Sequence, residues 1–148
     1  MAGSAMLAVG EAIAAVLVAD TALTDMLARW VGNPDQPGIF DAIPDGQTYP
    51  LVQLANVREM PDHTFGGPDV GIGWKVTQPV NVWSDYKGEY ECLRIWNRIV
   101  ELLNFRPLAV TGFSEVTVEC KRARVMVKTI DKLTYRQLPG EVEVLVRQ

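Results

Sequence analysis

Nucleophilic, acid–base and metal chemistry all need particular side chains in pairs or clusters, and the 148-residue chain offers few of them: one histidine, His63, and two cysteines, Cys92 and Cys120. A zinc site of the His/Cys type, or a serine or cysteine nucleophile activated by histidine, has little material here. His63 falls in a stretch rich in glycine and proline and reads as a solvated loop residue. Cys92 falls on a helical pattern and Cys120 on a strand pattern, where each reads first as a small buried hydrophobe. The carboxylate pairs Glu89 with Glu91 and Glu141 with Glu143 stand two apart, so they diverge on a helix and line a solvated face on a strand. Gly66-Gly67-Pro68 and Gly71-Ile72-Gly73 lack the following helix and the lysine or further glycine of a phosphate cradle. No catalytic residue, metal site or cofactor is expected. A small enzyme or ligand-binding domain using Cys92, Cys120 or His63 stands as the alternative.

One charged group is concentrated enough to matter. Lys121, Arg122, Arg124 and Lys128 place four cations within eight residues of an expected strand pair. They can meet phosphates electrostatically, but no aromatic residue interleaves with them, so base stacking has no support. Transient non-specific DNA contact and a solvated or intersubunit face are the two readings.

Composition adds boundaries. At 48% hydrophobic and 22% charged residues the chain has the balance of one ordinary domain spanning 1–148. Two cysteines cannot staple a secreted scaffold, so packing must hold the fold, as suits a reducing cytoplasm. The net charge of −4 divides unevenly: residues 1–85 hold 10 acids and 3 bases, residues 86–148 hold 8 acids and 11 bases, giving −7 and +3. Docking of one copy on the next, for which two unlike halves are suited, and an unevenly charged solvated surface are the two readings.

The elements that position these residues follow from periodicity. Ala5 to Ala19 carries Met6, Val9, Ile13, Val16 and Leu17 on one helical face. It is shorter than the roughly 20 residues a membrane span needs, Glu11 interrupts it, and no basic residue precedes it as a secretory signal would require. Asp20 and Thr21 suit an N-cap, and Leu23, Met26, Leu27 and Trp30 predict a short second helix that ends in the glycine- and proline-rich stretch 32–38. The period then changes to two. Leu51 to Val57 predicts a strand apolar on both faces, and Gly73 to Ser84 a second strand in which Pro79 requires a bulge or an edge. Residues 61–69 between them read as the tip of a long hairpin. Lys87 to Asn104 is the clearest helix, with Tyr90, Leu93, Trp96, Ile99, Val100 and Leu103 as its apolar stripe and Glu91–Arg94 and Arg98–Glu101 as pairs. Val116, Val118 and Cys120, then Val142, Val144 and Val146, alternate with charged or polar residues and predict half-buried strands. The fold class is therefore α+β, a mainly antiparallel sheet with helices packed on one face.

Taken in order, Ala19-Asp20-Thr21-Ala22-Leu23-Thr24, Ile39-Phe40-Asp41-Ala42-Ile43-Pro44, Tyr49-Pro50-Leu51-Val52, Val80-Asn81-Val82-Trp83-Ser84 before a helix, and Leu108-Ala109-Val110-Thr111-Gly112 carry a resemblance over nearly the whole chain. The chain resembles the tail-completion, or tail terminator, proteins that join tail to head in long-tailed bacteriophages.

What the resemblance implies is structural work in a virion without a reaction. Such proteins form a ring, typically a hexamer, that caps the finished tail tube and meets the head connector or stopper protein while DNA crosses its channel. The implied partners are further copies of the chain, the tail tube protein and the connector or stopper, with no membrane; the implied location is the tail or neck of a particle assembled in the host cytoplasm. Another neck component, such as a head-completion or stopper subunit, is the nearest alternative. Pro44 and Gly46 would then shape the turn into the strand opened by Tyr49-Pro50, and Trp83 would pack under the clear helix or at a ring interface. Pro79 departs from the pattern, as does the loop from Met60 to Val70. Pro79, Trp83, Asp62, His63 and Phe65 are accordingly the candidate subunit or partner contacts, and Lys121, Arg122, Arg124 and Lys128 the candidate charged face of the ring or channel.

Overall fold

The computed structural model describes residues 5–62 and 73–147. In chain order these form α1 (Ala5–Ala19), α2 (Thr21–Thr24), β1 (Arg29–Trp30), β2 (Asn33–Pro37), β3 (Ile39–Phe40), β4 (Leu51–Leu54), β5 (Arg58–Asp62), β6 (Gly73–Ser84), α3 (Tyr90–Leu103), β7 (Glu115–Arg122), β8 (Met126–Ile130) and β9 (Leu133–Arg147). The main sheet runs β3-β4-β6-β9-β7, with β5 also paired to β6 and β8 also paired to β9. Only the short β3–β4 pairing is parallel among the described strands. The α+β class with a mostly antiparallel sheet is as the periodicity predicts.

The core lies between the helices and one face of this sheet. Val9, Ile13 and Leu17 recur every four residues on α1, and Ile95 and Ile99 do so on α3, so each set forms one stripe. Every second residue of the long strands meets those stripes: Val76, Val80 and Val82 from β6, Val142, Val144 and Val146 from β9. All eleven are at most 1% exposed, and burying each such side chain is worth about 1.5–3 kcal/mol against leaving it in water. Gly140 is required in this layer, because a Cβ there would run into the Trp96 ring and stand 3.0 Å from the Val80 carbonyl oxygen.

Polar residues lock the helices to one another. Asp20 caps α2, its Oδ2 accepting from the Leu23 N–H at 2.9 Å, as the sequence predicts. The same carboxylate takes two hydrogen bonds from Arg98 of α3, at 2.7 and 2.9 Å. These Arg98 hydrogen bonds, with the cap, outweigh burial and hold the Asp20 carboxyl below its ordinary range. Arg98 also donates to Glu101, as expected. Glu91 does not turn to Arg94; its Oε1 accepts from Ser84 Oγ at 2.6 Å, fastening the end of β6 to the first turn of α3.

Two predicted helical boundaries are corrected. The second helix stops at Thr24, and Trp30 lies in β1, because residues 47–50 claim the backbone that a helix would need. Ala28 N donates to Pro50 O, Val31 N to Gln47 Oε1, and Gln47 Nε2 to Arg29 O. The stretch expected to be a pure breaker instead contains β2, and Trp30 meets Phe40 edge-on at 6.3 Å. Helix α3 begins at Tyr90, which is 72% exposed and outside the stripe; Cys92 and Ile95 take the buried positions instead. The run 51–57 is a strand only to Leu54, and β5 resumes at Arg58.

Candidate functional site: a basic hairpin and an open sheet face

The thiols are poor candidates for chemistry. Cys92 is fully buried, with Sγ near the carbonyl oxygens of Val82 and Arg136 at 3.7 and 3.8 Å, and burial pushes its pKa up to about 11. Burial raises Cys120 to about 11 as well. Both stay protonated near neutral pH, the reverse of what an activated thiolate requires. The described residues contain no group of three or more His, Cys, Asp and Glu side chains placed to hold a metal ion. No helix among them is long and apolar enough to cross a membrane.

Pro79 is not at an edge or a bulge: β6 runs in unbroken register against β9 from Gly73 to Ser84, with Pro79 opposite Glu141. The missing N–H costs nothing there because the other neighbour is changing. Pro79 O accepts from Ala55 N at 3.0 Å, so the imide nitrogen faces the same side, where β4 has ended and β5 has not begun. Gln78, almost fully buried, repairs that gap by donating to Ala55 O at 2.6 Å and to Pro79 O at 2.9 Å. Trp83 is half-buried and outside the core cluster, on the sheet face away from α3. Its neighbours Val82 and Ser84 point into the buried layer, so alternation turns the indole outward. Asp62 closes the β5–β6 ladder opposite Gly73. His63 and Phe65, with most of the expected hairpin tip, lie outside the described residues.

The structure gathers several of these residues on that outward face. Pro79, Lys121 and Arg122 line one depression of about 340 Å³ together with Pro139 and Glu141. Trp83 and Lys128 meet separately, the ammonium 5.6 Å from the ring centroid, while the indole N–H donates to Gln53. Across the same face runs a ladder of ion pairs: Lys75 and Lys121 both reach Glu143, Arg58 reaches Glu141, and Arg147 reaches Glu115. Their exposure limits each to about 0–1 kcal/mol. Lys121 is thus committed to a carboxylate, and the hydrogen bond from it to Glu143 raises its pKa. Arg122, Arg124 and Lys128 carry no carboxylate partner among the described residues.

Exposed apolar residues stand beside these charges. Strand β8 folds back on β9 through Asp131 and Lys132, whose φ values of 50° and 67° make the two-residue turn whose twist suits a hairpin. This arm exposes Val127 at 62%, Ile130 at 48% and Leu133 at 59%. The alternation of apolar residues either side of a short polar pair was the available sequence signal.

The comparisons agree with this architecture. A search of curated proteins found no match. Among solved structures, a chain from the virion of a native gene transfer agent particle is similar with a TM-score of 0.71 at 19% identity, covering 99% of this chain and 100% of that one. That likeness is one of fold. The family model described as tail completion protein gp17 matches residues 11–137, which include β6, α3, β7, β8 and β9 as far as Gln137. The chain therefore belongs to the gp17 family of tail completion proteins, a family of tail structural components.

Proposed function

We propose that the chain is a virion structural protein that closes the finished tail tube as a ring of its own copies, with six as the expected number, and joins tail to head. The observation that carries this reading is the family match across residues 11–137. The likeness in fold to a chain of a gene transfer agent virion supports placement in a tailed particle. A ring needs heterologous contacts, one surface of each copy meeting a different surface of the next. The −7 and +3 division of charge supplies unlike surfaces. In this reading the open sheet face with Pro79 and Trp83 meets neighbouring virion proteins, namely the tail tube and the head connector or stopper. DNA passes through the ring's opening, touching Arg122 and Arg124 without sequence preference.

Electron microscopy of particles made without this chain tests the reading. Tails of uncontrolled length, unattached to heads, are the expected result. Heads normally joined to tails of normal length would overturn it.

A further inference from the structure

The arm and a groove at the far end of the sheet carry opposite charges beside exposed apolar residues. The arm sits at the β7/β8 edge, beyond β9, and β8 is paired only with β9 among the described strands. Ile130 and Leu133 face each other across the hairpin on the side that also carries Lys128, Lys132 stands in the turn beside them, and Val127 is exposed on the opposite side. Residues 122–136 contain five bases and the single acid Asp131. At the opposite edge, α1 passes over the break between β4 and β5 and leaves an open groove of about 520 Å³. Leu7, Ala14, Leu54 and Val57 give it an apolar lining, Gln78 lies at its floor, and Glu11 and Asp41 stand at its rim. No cation pairs with either rim carboxylate among the described residues.

We infer that the β8–β9 arm of one copy seats in the α1 groove of the next, its Ile130 and Leu133 side chains against the apolar lining and Lys128 and Lys132 against Glu11 and Asp41. An exposed apolar strand edge is a hazard that proteins cover or blunt. Strand β5, at the other edge, carries Pro61 and is blunted, whereas β8 has no proline and one charge in five residues. Because the two surfaces lie at opposite edges of one sheet, the contact is head-to-tail and repeats from copy to copy, as closure of a ring requires. The inference rests on the proposed ring and names the surfaces that make it.

The experiment uses the full chain in two charge-reversed forms, one with Lys128→Glu and Lys132→Glu, the other with Glu11→Lys and Asp41→Lys. Native mass spectrometry and sedimentation velocity read the assembly state, and circular dichroism checks that each form is folded. Each form alone has like charges on arm and groove, so self-association should weaken by about tenfold or more. Mixed one to one, the arm of each form matches the groove of the other, and an even-numbered alternating ring should return. Assembly of either form alone at wild-type strength, or no recovery on mixing, overturns the contact while leaving the ring standing. A wild-type chain that remains monomeric, alone and with tail tubes, overturns the ring and this contact with it. Should a charge reversal fail to fold, Lys132→Cys combined with Glu11→Cys serves instead. Oxidation should link that variant into a ladder of multimers, and monomers only would overturn the contact.

Discussion

Strand β9 turns one part of its side chains to each face of the sheet, and the two meet different fates. In its C-terminal part Val142, Val144 and Val146 are at most 1% exposed, because α1 and α3 cover that face. At its N-terminal end Leu133, which the strand's alternation places on the opposite face, is 59% exposed, facing Ile130 at 48%, with no layer of the described residues above them. Alternation specifies which residues share a face, but burial depends on whether another layer arrives. The covered part holds the protomer together, and the uncovered part is the surface the proposed contact uses.

Five substitutions at four positions and one chemical probe can break or sharpen that contrast. The largest effect is expected from Ile99→Ala, which opens a cavity beneath the covered part and should lower unfolding free energy by about 2–5 kcal/mol in urea titration. Gly140→Ala should follow, since its new Cβ meets the Trp96 ring and overpacking of this kind costs about 1–3 kcal/mol. Asp20→Ala removes the α2 cap and the Arg98 partner at once, and loss of the cap alone should cost about 1 kcal/mol. The Asp20 carboxyl is held below its ordinary range by its hydrogen bonds to Arg98, so its contribution is present above the carboxylate range of the unfolded chain and drains away as pH falls through the folded value. Wild-type stability should therefore fall more steeply than that of Asp20→Asn below about pH 4. Next, Cys92, raised by burial to about 11, should resist alkylation at neutral pH until the chain unfolds. Fast labelling of native protein would place it outside the covered layer. The smallest effect belongs to Ile130→Ser on the arm, expected within about 0.5 kcal/mol of wild type. If that substitution destabilised the monomer as much as Ile99→Ala does, the contrast between the two parts of β9 would fail.

The covered layer was legible in sequence because a single period governs each of its elements. The spacing of Val9, Ile13 and Leu17, the alternation around Val142 to Val146, and the cap at Asp20 are local patterns with local causes. The corrections arise where distant residues decide. Trp30 leaves its helical spacing because Gln47 and Pro50 bond the backbone around it. Pro79 sits in a central strand because its partner strand breaks on the side where its N–H is missing, a coincidence no window of sequence reveals. The landmark Val82-Trp83-Ser84 acquired a cause only in three dimensions, with Ser84 tied to Glu91 and Trp83 turned outward. The family resemblance was likewise legible from the order of short landmarks. The arm was half legible: its cations stood out, whereas Val127, Ile130 and Leu133 read as ordinary strand residues until their lack of cover was visible.

The most direct test images particles assembled with an arm variant, Val127→Asp with Ile130→Asp, in place of the wild-type chain, after confirming that the variant protomer is folded with unchanged stability. The predicted result is a folded protein missing from the tail end, with tails of uncontrolled length that do not join heads. Heads joined to tails of normal length, with the variant seated between them, would contradict the claim that the uncovered part of the sheet exists for assembly.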